Sequence, residues 1–242
     1  MHTKWLLIGT IRAHPSNEDT NMTNDQISIQ ILGMDAGAPH EGEVGSGLTL
    51  HTDRGDIRAI LHQADSADAA VLWVWGAHGG FAGPADSIYS RLSEEFTTQG
   101  ITSLRVDYRN PRGFVECVLD TLGGLLFLGE LGYRKIVLCG HSLGGAVVIA
   151  AAPFSPLVNG VVALSSQTYG AQSAANVSPR PLLLVHGEAD THLPVHCSRA
   201  IYGWAREPKK LVVFPEATHS LYQCRDALHD LLTDWILENL GG

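Results

Sequence analysis

Three side chains have the types and the chain order of an acyl-transfer centre: Ser142, Asp190 and His219. Ser142 stands in Gly140-His141-Ser142-Leu143-Gly144, between the apolar run Lys135–Cys139 and a small-residue stretch from Gly145 to Ala152. This is a G-x-S-x-G pattern in the context of strand, sharp turn and helix, which presents a serine on the tip of a strained turn. A serine hydroxyl is a weak nucleophile at neutral pH. It needs a base within hydrogen-bond reach, and the base needs a carboxylate to orient it. In elbow architectures the order is serine, acid, histidine. Asp190 lies in His186-Gly187-Glu188-Ala189-Asp190, directly after the run Leu182–Val185, and His219 in Pro215-Glu216-Ala217-Thr218-His219-Ser220, directly after Leu211–Phe214. Glu188 is the competing carboxylate; Asp190 is preferred because Glu188 emerges closer to the strand end.

Acyl transfer also needs donors aimed at the developing oxyanion. The amide of Leu143, next after the nucleophile, is the first. The second is expected from the loop after Ala69–Trp75, which reads Gly76-Ala77-His78-Gly79-Gly80-Phe81. Glycines there allow close approach of the backbone, so Gly80 is the first choice and Phe81 the second.

Other chemistry-bearing residues read more plainly. His192 and His196 have an H-x3-H spacing but flank Leu193-Pro194-Val195, a loop or helix start, so they are expected to bind no metal. His78, His141 and His186 fall at strand ends around the site, where hydrogen bonds to loop backbone are expected. Asp107, in Arg105-Val106-Asp107-Tyr108-Arg109, is an alternative triad acid, better read as a structural partner of Arg105 or Arg109. No lysine follows the glycines around Ser142, so they are not a phosphate loop.

The elements that must position these residues follow from hydrophobic period. Ile27, Ile29 and Ile31 alternate with polar residues, and residues 33–47 are glycine-rich and loop-like. Leu48–Thr52 and Ile57–His62 read as an antiparallel hairpin around Asp53-Arg54-Gly55-Asp56. Beyond it, apolar runs at 69–75, 101–106, 135–139, 161–164, 182–185 and 211–214 alternate with helical patterns at 85–98, 115–131, 145–152, 198–206 and 225–240. Continuous apolar runs are the mark of strands buried on both faces, and their alternation with helices implies a mostly parallel, doubly wound sheet of about eight strands.

The 242 residues suit a single α/β domain over 27–242, preceded by an N-terminal extension, 1–26, that is polar and partly mobile from about residue 14. A net charge of −9 without long like-charge runs argues against nucleic acid or an anionic membrane as partner. The four cysteines form no C-x-x-C pair and read as free thiols. The run Trp5–Ile11 is too short to span a bilayer and no small-x-small cleavage site follows it, so the expected location is cytoplasmic.

Together the elbow, the His78-Gly79-Gly80 loop, the late aspartate and the final histidine resemble those of the α/β-hydrolase superfamily over residues 48–240. Within it, the chain is similar to the compact members related to dienelactone hydrolases and small carboxylesterases. It departs from dienelactone hydrolases proper, whose nucleophile is a cysteine. In many α/β-hydrolases a cap domain lies between the strands assigned here to 161–164 and 182–185; the short segment 165–181 leaves no room for one. The resemblance implies a serine hydrolase without cofactor, opening a short ester, thioester or related small-molecule acyl substrate through an acyl-enzyme. A binding or regulatory protein on the same fold, or an acyltransferase using the same triad, are the alternatives.

Overall fold

The computed structural model describes residues 9–12, 28–39, 42–65 and 68–241. They form a ten-stranded sheet flanked by five α-helices. The strands are β1 (Gly9–Arg12), β2 (Ser28–Gly37), β3 (Ser46–Thr52), β4 (Gly55–His62), β5 (Ala69–Val74), β6 (Ile101–Asp107), β7 (Lys135–His141), β8 (Val158–Leu164), β9 (Leu182–Gly187) and β10 (Lys209–Phe214). The helices are α1 (Pro84–Thr98), α2 (Phe114–Glu130), α3 (Leu143–Ala151), α4 (His196–Trp204) and α5 (Arg225–Leu240).

Strand order is β1-β2-β3-β4-β6-β5-β7-β8-β9-β10. The first four strands run antiparallel to their neighbours, and from β6 onward every pairing is parallel. The parallel strands read as unbroken apolar runs because helices cover both faces: every residue of β5 and β9 is buried. Helices α1 and α5 close one face over Trp73, Val137 and Leu183. Helices α2, α3 and α4 close the other over Leu72, Leu138 and Leu184. The adjacent-residue alternation of these two sets is the period of a strand with two buried faces.

The fold is the expected α/β architecture, with two differences. The sheet has ten strands rather than about eight, because the stretch with alternating Ile29 and Ile31 joins it as β2 and Gly9–Arg12 pairs antiparallel with β2. Residues 33–37 are strand rather than loop, held by pairing with β3 after a bulge between Ile31 and Gly33. The polar stretch from about residue 14 to 26, read from sequence as a mobile lead-in, lies outside the described residues. Between β8 and β9, residues 165–181 carry one short 3-10 turn, Gln172–Asn176, and no cap domain. Among the described residues no helix is long and apolar enough to cross a membrane. All four cysteines are unpaired.

Because β5 sits between β6 and β7, the chain leaves it in one direction through α1 and returns past it through α2. That reversal opens a crevice at the carboxyl ends of β5 and β7, the place where α/β sheets build ligand sites.

Candidate active site

Ser142 occupies the crevice. Its backbone has φ 59° and ψ −118°, a conformation costly for a residue with a side chain. Flanking contacts over-determine it. The Ser142 amide still bonds Leu164 O at 2.8 Å, extending the β7–β8 ladder, while the Ser142 carbonyl accepts from Gly145 at 3.1 Å as α3 begins. A Cβ on Gly140 would collide with the Gly144 carbonyl, and one on Gly144 with the Trp75 carbonyl. The turn is closed this tightly only because both positions are glycine. Leu143 is the first residue of α3, so its amide lies among the unsatisfied donors of a helix start.

The acid and base arrive on neighbouring loops. Strands β9 and β10 pair in register from Leu182–Lys209 to Gly187–Phe214, and the two loops that follow bond to each other. Glu188 N–H donates to Phe214 O at 2.9 Å and Ala189 N–H to Ala217 O at 3.0 Å. Asp190 and His219 are thereby brought face to face. His219 Nδ1 lies 2.8 Å from Asp190 Oδ2, and His219 Nε2 lies 3.1 Å from Ser142 Oγ. An ionised carboxylate only accepts, so Nδ1 carries the proton and the bare Nε2 faces the serine hydroxyl, the tautomer a general base needs.

The Asp190 carboxylate is fully buried and saturated with donors. Its Oδ1 accepts the His192 and Leu193 amides, both at 2.8 Å, Oδ2 accepts from His219, and His186 Nε2, which donates to Leu193 O, stands 3.2 Å from Oδ2. Burial pushes this carboxyl up, but hydrogen bonds from His219 and the two amides outweigh it and hold it below the ordinary aspartate value. Glu188, by contrast, pairs at the surface with Arg199, 2.9 Å away.

Two buried histidines brace the loops that carry Asp190 and His219. His141 donates from Nε2 to His219 O at 2.9 Å, and burial lowers its pKa to about 4, so it stays neutral. His186 is wedged between Ser198 Oγ (2.7 Å) and Leu193 O (2.8 Å), and burial lowers its pKa as well. Both bond loop backbone, as their strand-end positions suggest; their attachment to the Asp190 loop and to His219 is not visible in any local pattern.

A cavity of about 230 Å³ opens onto Ser142, walled by Trp75, Ala77, His78, Pro84, His192 and Ser220. Its Pro84 wall is set by an unusual start to α1. Ala85, Asp86 and Ser87 are left-handed (φ 51°, 62° and 59°), with the Arg91 guanidinium bonding the carbonyls of Ala85 and Asp86. The Ala85 amide donates to Ser220 O at 2.8 Å, tying this turn to the histidine loop. His192 tilts against the His219 ring, centroids 4.7 Å apart. Among the described residues no group of three or more histidine, cysteine, aspartate or glutamate side chains is placed to hold a metal ion.

The expected second oxyanion donor is corrected by this geometry. The Gly80 amide points at Asp107 Oδ1, 2.6 Å away, and not into the crevice. Phe81 is buried, with its carbonyl accepting from Arg105. It is Gly76 that lies against Ser142: a Cβ there would sit 3.3 Å from Ser142 Cβ. A bond from Gly79 N–H to Gly76 O (3.0 Å) closes a turn with Ala77 at its second position, whose amide such a turn leaves uncommitted. The signal was the strand end. Val74 pairs with Gly140, so two more residues bring the chain level with Ser142, earlier than the glycine pair suggests. Asp107 is likewise corrected: it pairs with Arg58 and the Gly80 amide. Arg105 is instead buried against Glu43, Ser90 and His62, and Arg109 against Asp120 and Glu116.

Comparison with known proteins agrees with this architecture. Residues 66–230 match the family model of the dienelactone hydrolase family. The uncharacterized protein YfhR of Salmonella typhimurium is 30% identical over 204 residues, 67% of this chain and 68% of that protein. YfhR of Escherichia coli K12 is 25% identical over 210 residues, 72% of this chain and 73% of that one. Among solved structures, Est1E from Butyrivibrio proteoclasticus superposes with a TM-score of 0.69 at 17% identity, over 81% of this chain and 99% of that chain. A dienelactone hydrolase from Anabaena variabilis gives 0.65 at 19%, over 78% and 94%. An alpha-beta serine hydrolase homologue from Coxiella burnetii gives 0.64 at 18%, over 82% and 99%. At such identities the structures speak for the fold alone, which is that of the α/β hydrolases; the family match adds kinship in sequence, and on it the chain belongs to the dienelactone hydrolase family.

Proposed function

We propose that the protein is a serine hydrolase acting on short-chain esters or thioesters. The observation that carries this is the continuous hydrogen-bonded line from Ser142 Oγ through His219 (3.1 Å, then 2.8 Å) to a buried Asp190, at the floor of a small open cavity. In this reading Ser142 Oγ attacks the substrate carbonyl carbon as its proton passes to His219 Nε2. Asp190 stabilises the imidazolium, and the amides of Leu143 and Ala77 receive the oxyanion. Collapse of the tetrahedral intermediate expels the alcohol or thiol, which takes the proton from His219. Water then attacks the acyl-enzyme, giving its proton to His219, and the acid leaves as Ser142 regains its hydrogen. No metal or organic cofactor enters these steps.

A serine in place of the cysteine of dienelactone hydrolases proper needs a histidine base beside it, and His219 Nε2 stands 3.1 Å from Ser142 Oγ. The cavity's modest volume and the short 165–181 segment favour small acyl groups over long chains that need a deep tunnel. Hydrolysis of p-nitrophenyl esters from acetyl to decanoyl tests this. Activity concentrated at two to four acyl carbons and abolished in Ser142→Ala supports the reading; a maximum at long chains rules out the small open pocket.

A further inference from the structure

The loop after β5 is fixed at two points. At its start Gly76 lies against Ser142, and at its far end Gly80 donates its amide to Asp107 Oδ1 at 2.6 Å. Asp107 is the last residue of β6 and is only 5% exposed, and its other carboxylate oxygen is ion-paired with Arg58 of β4. The fit is close. Gly79 and Gly80 have φ of +70° and +98°, and a Cβ on Gly79 would stand 2.6 Å from the same Asp107 oxygen. Between the two fixed points Ala77 and His78 are exposed. The direction of the Ala77 amide is therefore set by how the turn is held at its ends, and one end is the Asp107 carboxylate.

We propose that Asp107 is a positioning residue for the oxyanion hole: by holding Gly80 it aims the Ala77 amide at the carbonyl oxygen of the reacting acyl group. This rests on the acyl-transfer reading of Ser142. It assigns to Asp107 neither proton transfer nor support of His219, which Asp190 already provides. Its contribution is geometric, so the position of its oxygen matters more than its charge. Displacing a donor from an oxyanion lowers kcat while leaving ground-state binding largely intact.

Three variants separate geometry from charge. Asp107→Asn keeps an oxygen for the Gly80 amide, Asp107→Glu keeps the charge but moves the oxygen by one methylene, and Asp107→Ala removes both. Rates are expressed per site titrated with a fluorophosphonate, so unfolded protein does not count. A trifluoromethyl ketone gives the second readout. Its carbonyl carbon bonds Ser142 Oγ, the hydroxyl proton passes to His219, and the oxygen bears the negative charge. The Glu and Ala variants are expected to lose about 10–100-fold in kcat with KM within about threefold, and to bind the ketone more weakly by the same factor. Asp107→Asn is expected to stay within about fivefold of wild type, since it keeps the acceptor. Should Asp107→Ala fail to fold, the contrast between Glu and Asn carries the test. A Glu variant indistinguishable from wild type, or a loss that raises KM and ketone Ki equally, overturns the role of Asp107. A wild-type protein that the fluorophosphonate does not label overturns the acyl-transfer reading itself and the role with it.

Discussion

His141 donates from Nε2 to the main-chain carbonyl of His219 at 2.9 Å, so the residue before Ser142 holds the residue whose ring faces the Ser142 hydroxyl. The two rings lie tilted with centroids 4.8 Å apart. Since a carbonyl only accepts, the proton must sit on His141 Nε2, leaving Nδ1 bare and buried without a partner.

Replacing His141 by phenylalanine keeps the ring and deletes this bond. The expected result is a loss of about tenfold in kcat, because a displaced His219 meets Ser142 less often in line. Thermodynamic stability should fall by about 1–3 kcal/mol as the carbonyl loses its donor. Steady-state kinetics and urea unfolding check the two arms separately.

Stability should fall in mild acid. Burial depresses His141 and His62 to about 4 in the folded protein, against 6.5 for the free side chain. Both contributions are therefore complete above pH 6.5 and are lost as pH falls from 6.5 towards 4, where the unfolded chain takes protons that the folded one refuses. At 1.36 kcal/mol per unit, each amounts to roughly 3 kcal/mol over that window. Buried Asp120, raised to about 6, works in the opposite sense over pH 3.8–6, since its unfolded form ionises first. Comparing the pH dependence of unfolding in wild type with that of His62→Gln isolates the histidine; the variant should show the flatter curve.

Adding one methyl at Gly140 should dismantle the elbow. The new Cβ would strike the Gly144 carbonyl, which belongs to rigid backbone and not to a mobile side chain. Gly140→Ala is expected to lose about 1–3 kcal/mol of stability and to label poorly with a fluorophosphonate even where folded. Gly203→Ala, at an open position of α4, serves as the silent control.

Much of this was legible in the sequence because it depends on strand ends and chain order. Ser142, Asp190 and His219 each follow an apolar run, and the parallel sheet converts that shared position into proximity. What was not legible depends on contacts between distant segments. Gly80 looked like an oxyanion donor until a carboxylate from the neighbouring β6 took its amide. Residues 33–37 read as loop because Gly33, Asp35 and Gly37 break the alternation, and only pairing with β3 makes them strand. The anchoring of the Asp190 loop by His186, through Leu193 O, likewise joins a strand end to a loop folded back upon it.

If Ser142 is a nucleophile made reactive by His219, fluorophosphonate labelling followed by peptide mapping reports it. One label per chain is expected, on Ser142, lost in Ser142→Ala and slowed by about a thousandfold or more in His219→Ala. Labelling of another residue, or equal labelling rates in wild type and His219→Ala, would contradict it.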